Sequence, residues 1–145
     1  GSDVANITTT AKRDGDVFVV NGSKTFISGV MGADWVSTAV RTGGEGGRGV
    51  SMLLIPTNLP GVSRTPLDRK QGWWCADTGT IYFDNVRVPA DHLIGEEGQG
   101  FLVIMSNFNP ERISLAVTME AASRAADEVS EAFRGIGRPV ITSTI

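Results

Sequence analysis

The feature that most constrains this chain is a change of character near residue 97. Before it, short β-branched and apolar runs alternate with Gly, Pro, Asn and Asp punctuation, the pattern of strands joined by turns. From Gly98 onward, apolar residues recur at three- and four-residue spacing, the period of a helix packed along one face. The expected fold is mainly β with α: an antiparallel two-sheet β-barrel or sandwich domain over residues 1–97, followed by a long C-terminal helix in residues 98–145. Strands are expected at Ile7–Arg13 and Val17–Val20, joined through Asp14-Gly15-Asp16, then at Trp35–Arg41, Val50–Ile55 and Val62–Asp68. Thr80–Phe83 should be a strand closed by Asp84-Asn85, with Val86–Pro89 a further extended piece. No segment repeats at a fixed spacing.

Composition narrows the class. A chain of 145 residues can bury a core, and 41% hydrophobic with 20% charged content is globular. A net charge of −3 argues against a general nucleic-acid or anionic-membrane binder. One cysteine, Cys75, excludes an internal disulfide and so a secreted disulfide scaffold. A reducing compartment is expected, cytoplasm or mitochondrial matrix. No apolar run reaches membrane-span length, and the first residues lack a basic-then-apolar leader. His92 is the only histidine and has no Cys or acidic partners at ligand spacing, so no metal site is expected; it should lie on a surface loop. Cys75 has no nearby histidine and reads as a small core residue.

The stretch Asn21–Gly29 holds the densest chemistry. Asn21-Gly22 is a tight-turn pair that tolerates positive φ. If the following residues alternate, Lys24, Phe26 and Ser28 share one face and Thr25 and Ile27 the other. A ring beside a hydroxyl suits a flat heteroaromatic ligand. On pattern alone, an ordinary strand with one buried Phe is the commoner outcome. Residues 43–49 contain five glycines but no following Gly-Lys-Ser/Thr, so a flexible hairpin connection is expected there instead of a phosphate cradle.

In the helical part, Phe101, Leu102, Ile104, Met105 and Phe108 form one apolar stripe. Proline inside a helix costs about 3 kcal/mol, whereas proline at the first helical position is cheap and asparagine caps well. Asn109-Pro110 therefore predicts two helices with a break or kink at Asn109, the second capped by its side chain. Ile113, Ala116, Val117, Ala121, Ala125, Val129 and Phe133 continue the pattern with little in the chain to bury against. The helix looks like one member of a bundle whose other members are absent or come from another subunit, and self-association is expected.

These pieces, in order, resemble the acyl-CoA dehydrogenases. Gly1-Ser2-Asp3 resembles the end of the family's Glu-Pro-…-Gly-Ser-Asp signature. Asn21-Gly22-Ser23-Lys24-Thr25-Phe26-Ile27-Ser28 resembles its Asn-Gly-x-Lys-x-Trp-Ile-Thr/Ser flavin stretch. Ala33-Asp34-Trp35, Pro60-Gly61-Val62, Gly72-Trp73 with Asp77-Thr78, Phe83 to Pro89, Leu93-Ile94-Gly95 and Gly98-x-Gly100-Phe101 follow in register. The resemblance implies the middle β-domain and the first bundle helix of a longer, FAD-dependent enzyme, and a piece of such a protein inactive alone. Three departures stand out. Phe26 replaces Trp, Leu67–Gln71 runs one residue longer, and Arg134 precedes Gly137 by three residues instead of four, a register turned by about 100°.

The resemblance also implies roles. Phe26, Ile27 and Ser28 would contact the flavin, with Ser28 hydrogen-bonding near its reactive ring nitrogen. Ser2 would touch both flavin and thioester. Thr42, Asn109 and Arg112 would bind the acyl-CoA. The reaction would be α-proton abstraction from an acyl-CoA with β-hydride transfer to FAD, giving a 2-enoyl-CoA. The base is Glu111 if the chain follows the isovaleryl- and long-chain-type members, whose base lies in a Glu-Arg pair on this helix; otherwise it lies beyond the chain. A homo-oligomer, dimer or tetramer, and an electron-transfer partner complete the implied picture. The alternative is a non-enzymatic β-domain that binds a flavin, a nucleotide or a partner protein.

Overall fold

The computed structural model describes residues 3–72 and 74–135. Seven strands form one sheet: β1 (Thr10–Asp14), β2 (Val17–Ser28), β3 (Trp35–Arg41), β4 (Val50–Pro56), β5 (Val62–Pro66), β6 (Thr78–Pro89) and β7 (Leu93–Ile94), in the order β5-β6-β2-β1-β3-β4-β7. A helix, α1 (Gly100–Gly135), follows. The fold is mainly β with a long C-terminal helix, as expected. All pairings are antiparallel except one parallel bridge, Thr10 to Arg41, so the sheet is mixed.

The two-part character of the sheet comes from its two long strands. The first half of β2 pairs with β1 and with the end of β6; the second half of β2 pairs only with the start of β6, which in turn carries β5. Both halves feed one core. Phe18 and Val20 of β2, Val40 of β3, Leu53 and Ile55 of β4, and Ile81, Phe83, Val86 and Val88 of β6 pack in a single cluster. In β6 the buried residues switch from odd to even numbers between Phe83 and Val86. The ladder explains this: Val20 faces Val86 but Gly22 faces Phe83, so β6 carries one extra residue there. Asp84-Asn85 therefore does not close the strand. It is a bulge inside it, with Asn85 at φ 51.

The same bulge corrects the reading of Asn21-Gly22, which is no turn. Asn21 exchanges two hydrogen bonds with Asn85: its amide donates to Asn85 Oδ1 at 3.3 Å, and its Oδ1 accepts from the Asn85 backbone N–H at 2.9 Å. Gly22 has φ 135, and a Cβ there would stand 2.8 Å from Thr9 Cα. Glycine is required for positive φ and for close backbone approach, inside a strand that runs on.

Further corrections concern surface and helix. Cys75 is exposed, since the segment around it runs between strands outside the core. His92 sits half-buried in a short 3-10 turn, its ring 5.5 Å from that of Trp35. The glycine-rich loop is tied down by Arg41, whose guanidinium donates to the carbonyls of Gly44 and Gly46 as well as Ala5 and Ile7. Helix α1 runs unbroken through Pro110. Stopping and restarting a helix incurs a second nucleation, which costs more than the one bond proline deletes. Asn109 is therefore an interior helical residue, not a cap.

By contacts the chain divides into two compact units, residues 1–104 and residues 105 onward. In the second, every described residue from Asn109 to Val129 is exposed. The unpartnered face expected from the sequence is present.

Candidate functional site

The second half of β2 carries the candidate ligand face, and a second bulge shapes it. Lys24 faces Ile81, but Ile27 faces Gly79: three steps on β2 answer two on β6. The extra residue falls at Thr25-Phe26, and Phe26 takes φ 62, the left-handed region that bulky side chains avoid at a cost of about 1–3 kcal/mol. Strict alternation fails as a result. Lys24 and Ile27 lie on the core face with Ile81, because residues paired across a ladder share a face. Ser23 and Ser28 lie on the outer face, opposite Tyr82 and Thr78. Thr25 joins them, its hydroxyl 3.4 Å from that of Thr80. The expected trio of Lys24, Phe26 and Ser28 is thus divided.

Phe26 is 72% exposed, so the commoner reading of a buried strand phenylalanine does not hold. Ser28, two residues on, is exposed as well, while Ile27 between them packs against the core. Beyond Asn21, β2 has no described strand on its other side; Thr9 packs against Gly22 there and its hydroxyl donates to the Ser23 carbonyl at 2.9 Å. An exposed ring and an exposed hydroxyl at a strand edge suit a planar ligand with polar edges.

Lys24 is half-buried, and burial lowers its ammonium from the usual 10.5 to about 8.

Thr42 lies at the end of β3. Its hydroxyl is 2.6 Å from that of Ser51, which also accepts the Gly98 N–H at 2.8 Å. Ser51 is fully buried and ties the end of β3 to the chain entering α1. Gly100 packs against it so closely that a Cβ would stand 2.7 Å from Ser51 Cα. Beside this knot, a cleft of about 720 Å³ opens between Gly47-Arg48 and residues 97–102. Ser51 and Arg41 were not singled out from sequence. A polar residue inside the buried run Val50–Ile55 was the available signal.

In the second unit, Asn109, Glu111 and Arg112 are exposed on α1. Glu111 is held by its own helix: Asn107 Nδ2 donates to Glu111 Oε1 at 2.7 Å, four residues away. The structure therefore groups Phe26, Ile27 and Ser28 on one bulge, places Thr42 at the Ser51 knot, and sets Asn109, Glu111 and Arg112 along one helix. Ser2, and the motif after Arg134, lie outside the described residues.

Comparison with known proteins places these features. The family model for the acyl-CoA dehydrogenase middle domain matches residues 1–86. An acyl-CoA dehydrogenase of Emericella nidulans is 45% identical over 129 residues, covering 87% of this chain and 29% of that protein. The mitochondrial isobutyryl-CoA dehydrogenase of Bos taurus is 40% identical over 126 residues, covering 87% of this chain and 30% of that protein. A crystal structure of a probable acyl-CoA dehydrogenase from Mycobacterium abscessus is 48% identical, with a TM-score of 0.90 over 99% of this chain and 38% of its own. The chain spans about a third of the length of these relatives. At this identity and coverage the chain belongs to the acyl-CoA dehydrogenase family, and its residues 1–86 correspond to that family's middle domain.

Proposed function

We propose that this chain supplies the flavin- and substrate-facing part of an FAD-dependent acyl-CoA dehydrogenase that oxidises an acyl-CoA to a 2-enoyl-CoA. In this reading residues 1–97 are the middle β-domain and residues 98–145 begin the C-terminal helical domain. The observation that carries it is Phe26. An aromatic ring held at φ 62 and 72% exposed is a strained, solvent-facing group with no role in the core. Such strain persists where a ligand uses it.

The residues present fit the cofactor. The Phe26 ring offers a face for a flat ring system, and the Ser28 hydroxyl and open β2 edge offer hydrogen bonds to its polar rim. FAD, when bound, supplies the hydride acceptor. The chain's own residues do the rest. Thr42 and Arg112 hold the CoA portion, Asn109 lines the acyl-CoA path, and Ser2 meets both ligands. Glu111 takes the α-proton, its carboxylate oriented by Asn107. The 145 residues alone hold only part of this machinery and are inactive. The complete protein works as a homo-oligomer that hands electrons to a separate carrier, within the cytoplasm or mitochondrial matrix. Among the described residues no helix is long and apolar enough to cross a membrane.

The test uses the complete protein reconstituted with FAD. Anaerobic addition of acyl-CoA thioesters should bleach the oxidised-flavin absorbance and yield the 2-enoyl-CoA. Failure to retain FAD, or retention without bleaching by any acyl-CoA, overturns the reading.

A further inference from the structure

Lys24 has an unusual position. Its register partner is Ile81, so its stem lies on the core face of the small half-sheet. The same row continues to Arg64 on β5, which also faces Ile81. Arg64 is occupied: its guanidinium donates to the carbonyls of Val30 and Ala33, both at 2.9 Å. Those acceptors are neutral, so its charge stays uncompensated. Lys70, farther along, donates to the Ala76 carbonyl and the Thr78 hydroxyl. Of the acidic groups at this end, Asp34, Asp68 and Asp77, the last accepts the Met31 backbone N–H. Neither Lys24 nor Arg64 takes part in the ion pairs Arg13–Glu97, Arg87–Asp14 and Arg124–Glu120. Lys24 itself makes no hydrogen bond or ion pair among the described residues.

A half-buried cation with no partner is costly unless an anion meets it. Lys24 lies where one can arrive, since β2 beyond Asn21 has no strand on its open side. We infer that Lys24 forms an ion pair with a carboxylate carried by polypeptide outside these 145 residues, which packs against the open edge of β2. The chain spans about a third of its relatives' length, so such polypeptide is available. A protein carboxylate is favoured over a cofactor phosphate because Lys24 is on the core face, opposite the face that carries Ser28. That choice alone rests on the proposed ligand face. Once paired, the ammonium should return from about 8 to or above the ordinary lysine value.

The test reads no activity, so it fails separately from the proposed function. The complete protein is treated with a carbodiimide, which joins an amine to a carboxylate in direct contact, and the product is mapped by peptide mass spectrometry. In parallel, the acetylation rate of Lys24 by acetic anhydride is followed against pH. The expected result is a cross-link from Lys24 to an Asp or Glu outside residues 1–145. Acetylation of Lys24 should be at least tenfold slower than that of exposed lysines, with a midpoint above pH 10. Lys24→Arg should keep the protein's thermal midpoint and Lys24→Met should lower it. A Lys24 that acetylates with a midpoint near pH 8 and gives no cross-link overturns the inference. So does a cross-link confined to carboxylates within the 145 residues, or protection that disappears when FAD is removed, which would identify a phosphate partner.

Discussion

The β-sheet and the helix that follows it treat their apolar residues in opposite ways. Phe18, Val20, Val40, Leu53 and Ile55 have no exposed surface, whereas Ile113, Leu115, Val117 and Met119 keep 62–73% of theirs. Each fully buried side chain of this size contributes about 1.5–3 kcal/mol, so the sheet stabilises itself while the helix beyond Ile104 forgoes that gain. The sheet residues serve the fold of this chain. The helix residues leave an apolar face with no partner among the described residues.

The sharpest use of the comparison is a carboxylate on the bare helix. If Glu111 is the base, Glu111→Gln in the complete protein leaves acyl-CoA binding nearly unchanged and slows flavin reduction about 10³-fold or more, while Glu111→Asp keeps part of the rate. Rapid-mixing spectroscopy of the flavin checks it, and a near-parental rate for Glu111→Gln moves the base to another carboxylate. The core gives the next largest effect. Phe18→Ala should cost about 3–5 kcal/mol in denaturant unfolding of this chain. Ile113→Ser on α1 should stay within about 0.5 kcal/mol in the same assay. A large loss from Ile113→Ser in the isolated chain would mean that the helix face is covered there, for instance by a second copy.

Two smaller effects probe the β2 bulge. Lys24 has a folded pKa of about 8 against an ordinary 10.5, so the unfolded chain holds this proton more tightly. Stability of the 145-residue chain is therefore penalised below pH 8 and recovers as pH rises from about 8 to 10.5. Partial exposure limits the gain to about 1 kcal/mol. Lys24→Met should remove that slope and raise stability at neutral pH, the reverse of its effect in the complete protein. Unfolding midpoints measured across that pH range decide it. Phe26→Gly should relieve the strained φ and stabilise the β unit by about 1 kcal/mol, yet weaken FAD retention by the complete protein. Loss of stability instead would show that the ring packs against protein.

Much of the fold was legible because its signals are local. β3 is bounded as expected at Trp35 and Arg41, and the Asp14-Gly15-Asp16 turn joins β1 to β2. The bare helix face was legible too, since no matching apolar partner exists in the chain. The candidate site was less so. Phe26, Ser28 and Thr42 were identified through the family pattern, but the Ser51 knot and the Arg41 clamp depend on strands brought together from distant positions.

What the residues determined by themselves is the succession of elements, because turn chemistry and hydrophobic period act over a few neighbours. What only the tertiary structure decided is where each period slips. One extra residue at Asp84-Asn85 and one at Thr25-Phe26 are invisible in either strand alone, since a bulge exists only relative to the partner strand. Those two slips turn Val86 and Val88 into the core, bring Ile27 to the core side, and leave Phe26 facing out. Pro110 follows the same logic: its local preference is to end a helix, and the cooperativity of a 36-residue helix overrides it.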